Sequence, residues 1–136
     1  MATLTPYLSF RDDAREAMTF YQSVLGGALD VIEFAAFPGA MQDPADEHRV
    51  MHAYLETPDG MVLMGADTPT GTEYRAPQGV SVTVSADAER ARGIWEALGE
   101  GGTVTMPYGT PPWGGEFGMV TDRFGVDWMV MGDPQA

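Results

Sequence analysis

His52 is the residue of this chain best suited to chemistry at neutral pH, since an imidazole can act as a general base, donate a hydrogen bond or bind a metal. It lies in the apolar run 50–56, which predicts a strand. Side chains alternate along a strand, so His52 and Tyr54 share one face while Met51, Ala53 and Leu55 share the other. The all-apolar face is expected to meet a helix, which predicts that His52 faces a cavity. The simpler alternative is a strand histidine that is hydrogen-bonded to a neighbour.

Two carboxylates could join His52. Asp67 follows the predicted strand 61–66, and Glu116 ends an aromatic loop. One imidazole and two carboxylates can bind zinc or iron, although no spacing requires these three residues to converge. The simpler alternative is that Asp67 and Glu116 are two solvated carboxylates among the twenty acidic residues. No metal and no cofactor are predicted, and His52, Asp67 and Glu116 would be the ligands of a displaced metal site if one exists. His48, beside an acidic loop, is expected to be a solvated surface residue.

A second group of residues suits the binding of an organic ligand, because pockets for such ligands are mostly apolar with few polar groups. The loop 107–116 is rich in proline, glycine and aromatic residues, which is the composition of a lid. Alternatively, its Trp113 plugs a barrel end or a dimer contact. The predicted ligand-binding residues are Tyr7, Tyr54, Met64, Tyr108, Trp113, Glu116, Phe117 and Met129.

The elements that would position these residues occur twice. Residues 10–27 and 84–101 share an apolar strand, an acidic helix start, a short amphipathic helix and a glycine stop. Asp13 and Glu16 have the spacing of a capping box. The first half is predicted to contain strands 4–10, 29–37, 50–56 and 61–66, with a helix that starts after Asp13. The second half is predicted to contain strands 80–85, 103–106, 117–121 and 126–131, with a helix over 88–98. Residues 38–47 are expected to form a polar, flexible loop.

Composition excludes several classes of protein. The chain has 136 residues, which predicts one domain, and a formal net charge of −13 with only seven basic residues. A nucleic-acid partner is not expected, because such binding needs cations that neutralise phosphates. No apolar run reaches the roughly 18 residues of a membrane span, so no membrane partner is expected. The absence of cysteine and of a signal peptide fits a cytoplasmic protein.

The chain resembles the vicinal oxygen chelate superfamily of glyoxalases, extradiol dioxygenases and bleomycin-resistance proteins, and within it the PhnB-like branch. The residues that carry this resemblance are Pro6-Tyr7-Leu8-x-Phe10, Glu16-Ala17-x-x-Phe20-Tyr21, His52-Ala53, Leu63-Met64, and Trp113-Gly114 through Asp122-x-Phe124-Gly125-x-x-Trp128. The resemblance implies an α+β fold of two tandem βαβββ modules, 1–70 and 78–136, that form curled, mixed half-barrel sheets within the single domain 1–136.

The superfamily also implies a homodimer and a cavity in which His, Gln or Glu of the first and fourth strands hold a divalent metal. The matching positions here are Thr5 or Pro6, Leu63 or Met64, Gly79 or Val80, and Met129, none of which is an imidazole or a carboxylate. The usual metal centre is therefore not expected. The branch is sometimes labelled as a methyltransferase of ubiquinone synthesis. No glycine-rich turn between a strand and a helix suits a nucleoside cofactor, since the glycines at 99–102 follow a helix.

Two hypotheses follow from this resemblance and these residues. The first is a metal-free, small-molecule-binding protein in the manner of bleomycin-resistance proteins, with an aromatic cavity. The alternative is a lyase-, isomerase- or dioxygenase-type enzyme that acts on a small oxygenated substrate. Such an enzyme would use His52 as a base or as one ligand of a displaced metal site.

Overall fold

The computed structural model describes residues 2–133, so Met1 and residues 134–136 of the predicted domain lie outside it. The elements of the first half are β1 (Tyr7–Phe10), α1 (Ala14–Leu25), β2 (Ala28–Glu33), β3 (Val50–Glu56) and β4 (Val62–Asp67). Those of the second half are β5 (Val82–Asp87), α2 (Ala88–Gly99), β6 (Thr103–Gly109), β7 (Glu116–Thr121) and β8 (Asp127–Asp133). The order βαβββ therefore occurs twice, as predicted. Neither helix is long and apolar enough to cross a membrane.

The chain divides into two structural units, Met1–Ala76 and Pro77–Ala136, and each contains one open, mixed sheet. The strand order of the first sheet is β1-β4-β3-β2, and that of the second is β5-β8-β7-β6. In both sheets the first strand runs parallel to the last, and the other pairs are antiparallel. This shared topology confirms the predicted α+β fold of two βαβββ modules.

The core of the first unit lies between α1 and one face of the first sheet. The buried helix residues are Ala14, Ala17, Met18, Tyr21 and Leu25, and the buried sheet residues include Leu8, Phe10, Ala53, Leu55 and Leu63. The prediction that the apolar face of β3 meets a helix is thus confirmed at Ala53 and Leu55. The opposite face carries Tyr7, His52, Tyr54 and Met64 and is called the open face of the first sheet, because α1 packs on the other side.

The core of the second unit is built in the same way from α2 and the second sheet. Ala91, Ile94 and Leu98 of the helix are buried against Val84, Val120, Trp128 and Val130. The Trp128 indole is 1% exposed and donates to Oδ2 of Asp122 at 2.8 Å. Trp128 and Tyr21 therefore belong to the cores of their units, whereas Trp95 is only half-buried.

The predicted capping box at the start of α1 is wrong. The side chain of Asp13 accepts no capping hydrogen bond, and its backbone (φ −117°, ψ 23°) is not in the extended conformation of a usual N-cap. Asp67 at the end of β4 takes this role, because its Oδ1 accepts from the Ala14 amide at 2.9 Å. In the second unit Asp87 caps α2 by itself, through the Arg90 amide at 2.9 Å.

The segment predicted as a long second strand and a flexible loop is more ordered than expected. The strand ends at Glu33, and three short 3-10 turns follow at Phe34–Ala36, Pro38–Ala40 and Pro44–Asp46. Asp46 is fully buried and accepts from the amide and the hydroxyl of Thr70 at 2.9 and 2.8 Å. The segment is therefore hydrogen-bonded to the residues that follow β4.

The Asp46 carboxylate should contribute to the pH dependence of stability. Burial alone would raise the pKa of Asp46, but the hydrogen bonds from Thr70 and the nearby Arg49 guanidinium outweigh it and lower the pKa. A carboxyl with a lowered folded-state pKa stabilises fully above its unfolded pKa of about 4, and this stabilisation is lost as the pH falls through the folded value. We expect Asp46→Asn to lose less unfolding free energy than the wild type between about pH 5 and pH 3.

Urea unfolding at a series of pH values measures this effect. Asp12→Asn, which changes an exposed carboxylate of the same unit, is the matched control and should follow the wild-type profile. A wild-type profile for Asp46→Asn would contradict the prediction.

Candidate functional site

Tyr7 and His52 form a pair on the open face of the first sheet. Their strands, β1 and β3, flank β4, and Tyr7 lies in register with Met64, which in turn lies opposite Tyr54. The Tyr7 hydroxyl and Nδ1 of His52 are 3.0 Å apart, and the two rings stack with centroids 5.7 Å apart at an interplanar angle of 28°. The structure therefore brings four of the predicted residues together on one face.

The hydrogen bond sets what the imidazole can offer to a ligand. Burial raises the pKa of Tyr7, so the phenol stays protonated at neutral pH and can donate to Nδ1. In that tautomer Nε2 of His52 carries a proton and is a hydrogen-bond donor. In the opposite tautomer Nδ1 donates to the Tyr7 oxygen, and the lone pair of Nε2 can accept a proton.

The two carboxylates that were considered with His52 have other partners. Asp67 lies on the helix side of β4, where Oδ1 accepts from the Ala14 amide and Oδ2 accepts from the Val50 amide at 2.8 Å. Glu116 belongs to the second unit, where it pairs with Arg92 at 3.2 Å. Asp67 and His52 therefore lie on opposite faces of the first sheet.

His48 lies on the surface, as predicted. Its side chain is 79% exposed, with Nε2 3.3 Å from the Glu47 carboxylate and Nδ1 3.7 Å from that of Glu33. His48 therefore belongs to a group of solvated side chains and not to a buried set of metal ligands.

The predicted ligand residues of the second unit lie on both sides of its sheet. Phe117 and Met129 lie on the face that α2 does not cover, since they alternate with the buried Gly118 and Val130. Tyr108 lies on the helix side, where its ring centroid is 5.7 Å from that of Trp95. Burial and then the nearby Glu116 carboxylate raise the pKa of Tyr108 to about 12.

The predicted lid loop 107–116 is shorter in the structure. β6 extends to Gly109 and β7 begins at Glu116, which leaves residues 110–115 as the connection. Trp113 in this connection is 71% exposed, and its ring makes an edge contact with Phe117 at 6.1 Å. Beside it lies a cavity of about 430 Å³.

Comparison with known proteins identifies the family. Residues 2–131 match the family model described as 3-demethylubiquinone-9 3-methyltransferase. The chain belongs to this family. Protein PA1353 from Pseudomonas aeruginosa, a similar solved structure, is 38% identical with a TM-score of 0.85, and the alignment covers 98% of each chain.

Two less similar solved structures have the same fold as this chain, the fold that the sequence resemblance implies. The PhnB protein from Bacillus cereus, named as a 3-demethylubiquinone-9 3-methyltransferase, is 24% identical with a TM-score of 0.75, over 97% of this chain and 100% of that chain. A glyoxylase/bleomycin resistance protein/dioxygenase domain from Frankia sp. EAN1pec is 14% identical with a TM-score of 0.64, over 97% of each chain. The family model confirms the PhnB-like family, and these structures confirm the fold of the superfamily.

The residues of this family member do not fit the divalent metal centre of the superfamily. Within residues 2–133 no group of three or more His, Asp or Glu side chains is arranged to hold a metal ion. The one imidazole on the open face has Nδ1 hydrogen-bonded to a phenol. Met64, which lies beside Tyr7 at a position that the resemblance matches to a metal ligand, offers a thioether. A thioether suits soft ions rather than the hard divalent cations that need oxygen or imidazole ligands.

Sequence reasoning did not identify Ser85, Met131 and Asp133, which line the cavity beside Trp113. They lie near the carboxyl ends of β5 and β8, a parallel pair. Ligands often bind outside the carboxyl ends of parallel strands, so the parallel pairing of these two strands was the available signal.

Proposed function

We propose that the chain binds a small, partly aromatic organic molecule that carries an oxygen acceptor, on the open face of the first sheet and without a resident divalent metal. The observation that carries this proposal is the 3.0 Å hydrogen bond between Tyr7 and Nδ1 of His52. It holds the imidazole in one orientation, and when the Tyr7 phenol is the donor it leaves Nε2 as a donor for a ligand oxygen.

The surroundings of this donor are suited to an organic ligand. Tyr7 is 52% exposed, and Tyr54 and Met64 are half-buried, so apolar surface remains on a face that α1 does not use. Ligand sites of this kind combine apolar walls with a few polar groups, and a methionine side chain adapts to irregular shapes. We propose Phe117 and Met129 as ligand contacts of the second unit by itself, on the face of its own sheet that α2 does not cover.

The name of the family gives a methyl-transfer reaction on a ubiquinone precursor. Cofactors that carry a nucleotide commonly bind where a glycine-rich turn leads from a strand into a helix. Here residues Arg11-Asp12-Asp13 connect β1 to α1, and β5 continues directly into α2 at Ala88. Neither strand-to-helix connection therefore contains a glycine. We therefore propose binding rather than methyl transfer, and take the quinone ring as the probe.

Calorimetric titration with 2,3-dimethoxy-5-methyl-1,4-benzoquinone tests the proposal. The chain has no cysteine, so the quinone cannot add to a thiol. We expect saturable binding to the wild type. His52→Ala should lose about tenfold in affinity because it removes the donor to the quinone oxygen, and Tyr7→Phe should lose about threefold to tenfold because it removes the hydrogen bond that orients the imidazole.

His48→Ala is the matched control, because it removes an exposed imidazole outside the open face. Its affinity should equal that of the wild type. Absence of quinone binding, or equal affinities in the two histidine variants, would sink the proposal.

The alternative function is an enzyme on a small oxygenated substrate, which the opposite tautomer of the Tyr7–His52 pair favours because Nε2 is then a base. Mass spectrometry of the O-demethyl form of the probe, which keeps a free hydroxyl as methyl acceptor, with and without S-adenosylmethionine, distinguishes the two functions. Conversion by the wild type and not by a folded His52→Ala would replace the binding proposal with His52 as the base. Equal conversion by both would exclude that role of His52.

A further inference from the structure

One side of the second sheet carries three methionines in a row across three strands. Met106 on β6 lies in register with Met119 on β7, and Met119 lies in register with Met129 on β8. Residues in register on neighbouring strands point to the same side of a sheet, with Cβ atoms about 4.5–5.5 Å apart. The side chains of Met106, Met119 and Met129, called the methionine row, are therefore neighbours.

The methionine row lies on the side of the sheet that α2 does not cover. Val120 and Val130, the neighbours of Met119 and Met129 along the chain, are buried on the helix side. The register of β6 shifts on both sides of Met106, and Met106 pairs with Met119 and so shares its side. Met106 is 42% exposed, and Met119 and Met129 are half-buried, so the row is open to solvent.

Three neighbouring thioethers are suited to a soft, monovalent cation. Thioether sulfur selects Cu(I), whereas the hard divalent cations need oxygen or imidazole ligands. A methionine side chain has three rotatable bonds, so sulfur atoms on adjacent strands can turn towards one ion above the central Met119. A thioether carries no proton that must leave before a metal binds, in contrast to a thiol or an imidazolium.

The second unit offers no competing soft ligand. Residues 77–136 contain neither cysteine nor histidine, so thioether sulfur is the softest donor there. The chain as a whole carries a net charge of −13, which concentrates cations near its surface. Charge and ligand type therefore favour the same kind of ion.

We propose that the methionine row binds one Cu(I) ion through the Sδ atoms of Met106, Met119 and Met129. The site is built by the second unit alone. It goes beyond the function proposed above, which involves no metal, although it shares Met129 with the organic-ligand contacts proposed for this sheet.

Anaerobic competition with the chelator bicinchoninate measures the affinity for Cu(I), because the coloured chelate fades as the protein takes the ion. We expect the wild type to take about one equivalent per chain. Met119→Leu keeps an apolar side chain and removes the central sulfur, so its affinity should fall at least about tenfold. Met61→Leu, which changes a half-buried methionine of the first unit, is the matched control and should bind as the wild type does.

The methionine methyl signals in a ¹H–¹³C NMR spectrum of the wild type locate the ion directly, since Cu(I) is diamagnetic. The chain has ten methionines, and we expect the signals of the three in the row to shift together. The signal of Met18, which is fully buried against the first sheet, should stay unchanged. This spectrum decides the matter even if Met119→Leu does not fold.

Three results would each overturn the proposal: no uptake of Cu(I), equal affinities of Met119→Leu and the wild type, or shifts confined to methionines outside the row. The row would then be an adaptable apolar surface only. His52→Ala should keep the Cu(I) affinity, because the proposed site uses no imidazole. A loss of affinity in His52→Ala would assign the ion to the first unit and would also overturn the proposal.

Discussion

Replacement of Asp67 by alanine is expected to lower the free energy of unfolding by about 3 kcal/mol. The carboxylate is 6% exposed and serves two backbone amides, those of Ala14 at 2.9 Å and Val50 at 2.8 Å. It thereby joins the start of α1 and the start of β3 to the end of β4. Without it, both amides would be left in the interior without an acceptor, and α1 would lose its cap.

Asp13→Ala is the matched control, because Asp13 precedes α1 but caps nothing. We expect it to change the free energy of urea unfolding by less than about 0.5 kcal/mol. Asp67→Asn, which keeps one acceptor oxygen, should fall between the two. Equal losses for the two alanine variants would contradict the assignment of the cap.

The same variants separate a structural Asp67 from a metal-binding one. If Asp67 and His52 shared a metal, added zinc would raise the unfolding midpoint of the wild type and not that of Asp67→Ala. We expect zinc to leave the midpoint of the wild type unchanged, since the two side chains point to opposite faces of the first sheet.

Local patterns predicted the elements well and the long-range contacts poorly. Alternation along β3 was enough to place His52 opposite the buried Ala53 and Leu55. Its partner Tyr7 is 45 residues away and becomes a neighbour only through the strand order β1-β4-β3. A cap that comes from Asp67, 53 residues after Ala14, leaves no local signal either.

The second sheet shows why side-chain faces were harder to predict there. β6 pairs with β7 in shifted register between Val104 and Met106 and again between Met106 and Gly109. Each irregularity breaks the period of two, so counting residues cannot place Tyr108 on a face. The structure places it on the helix side, against Trp95.

Gly27→Ala is expected to lower the free energy of unfolding by about 4 kcal/mol, the largest effect of any substitution considered for this chain. Gly27 has a φ of +100°, and a Cβ atom there would overlap the carbonyl oxygen of Glu56 and lie 2.8 Å from its carbonyl carbon. The obstacle is backbone at the end of β3, which cannot rotate away. Gly60→Ala, with a φ of +86° but open space around it, should lose only about 1–2 kcal/mol.

The second unit repeats this contact without the positive φ. A Cβ atom at Gly102 would overlap the carbonyl oxygen of Thr121, which ends β7 as Glu56 ends β3. Gly102→Ala should therefore lose about 3 kcal/mol from the steric conflict alone. Gly93→Ala, in open space on α2, should gain up to about 1 kcal/mol from helix propensity. Thermal and urea unfolding of the four variants measure these differences, and equal losses for Gly27→Ala and Gly60→Ala would refute the argument.

These contacts explain why glycines follow both helices. In each unit a glycine after the helix contacts the last strand residue before a tight turn. In the first turn the Gly60 amide donates to the Thr57 carbonyl oxygen at 2.9 Å, and in the second the Gly125 amide donates to that of Asp122 at 3.0 Å. A glycine-rich run in a protein of this family could be taken for a cofactor cradle. Here Gly27 and Gly102 are held against backbone carbonyls, whose negative oxygens would repel the phosphates of a nucleotide. The close approach of helix end and strand end therefore accounts for these two glycines without a cofactor, and binding at the Tyr7–His52 pair is the better direction for experiment.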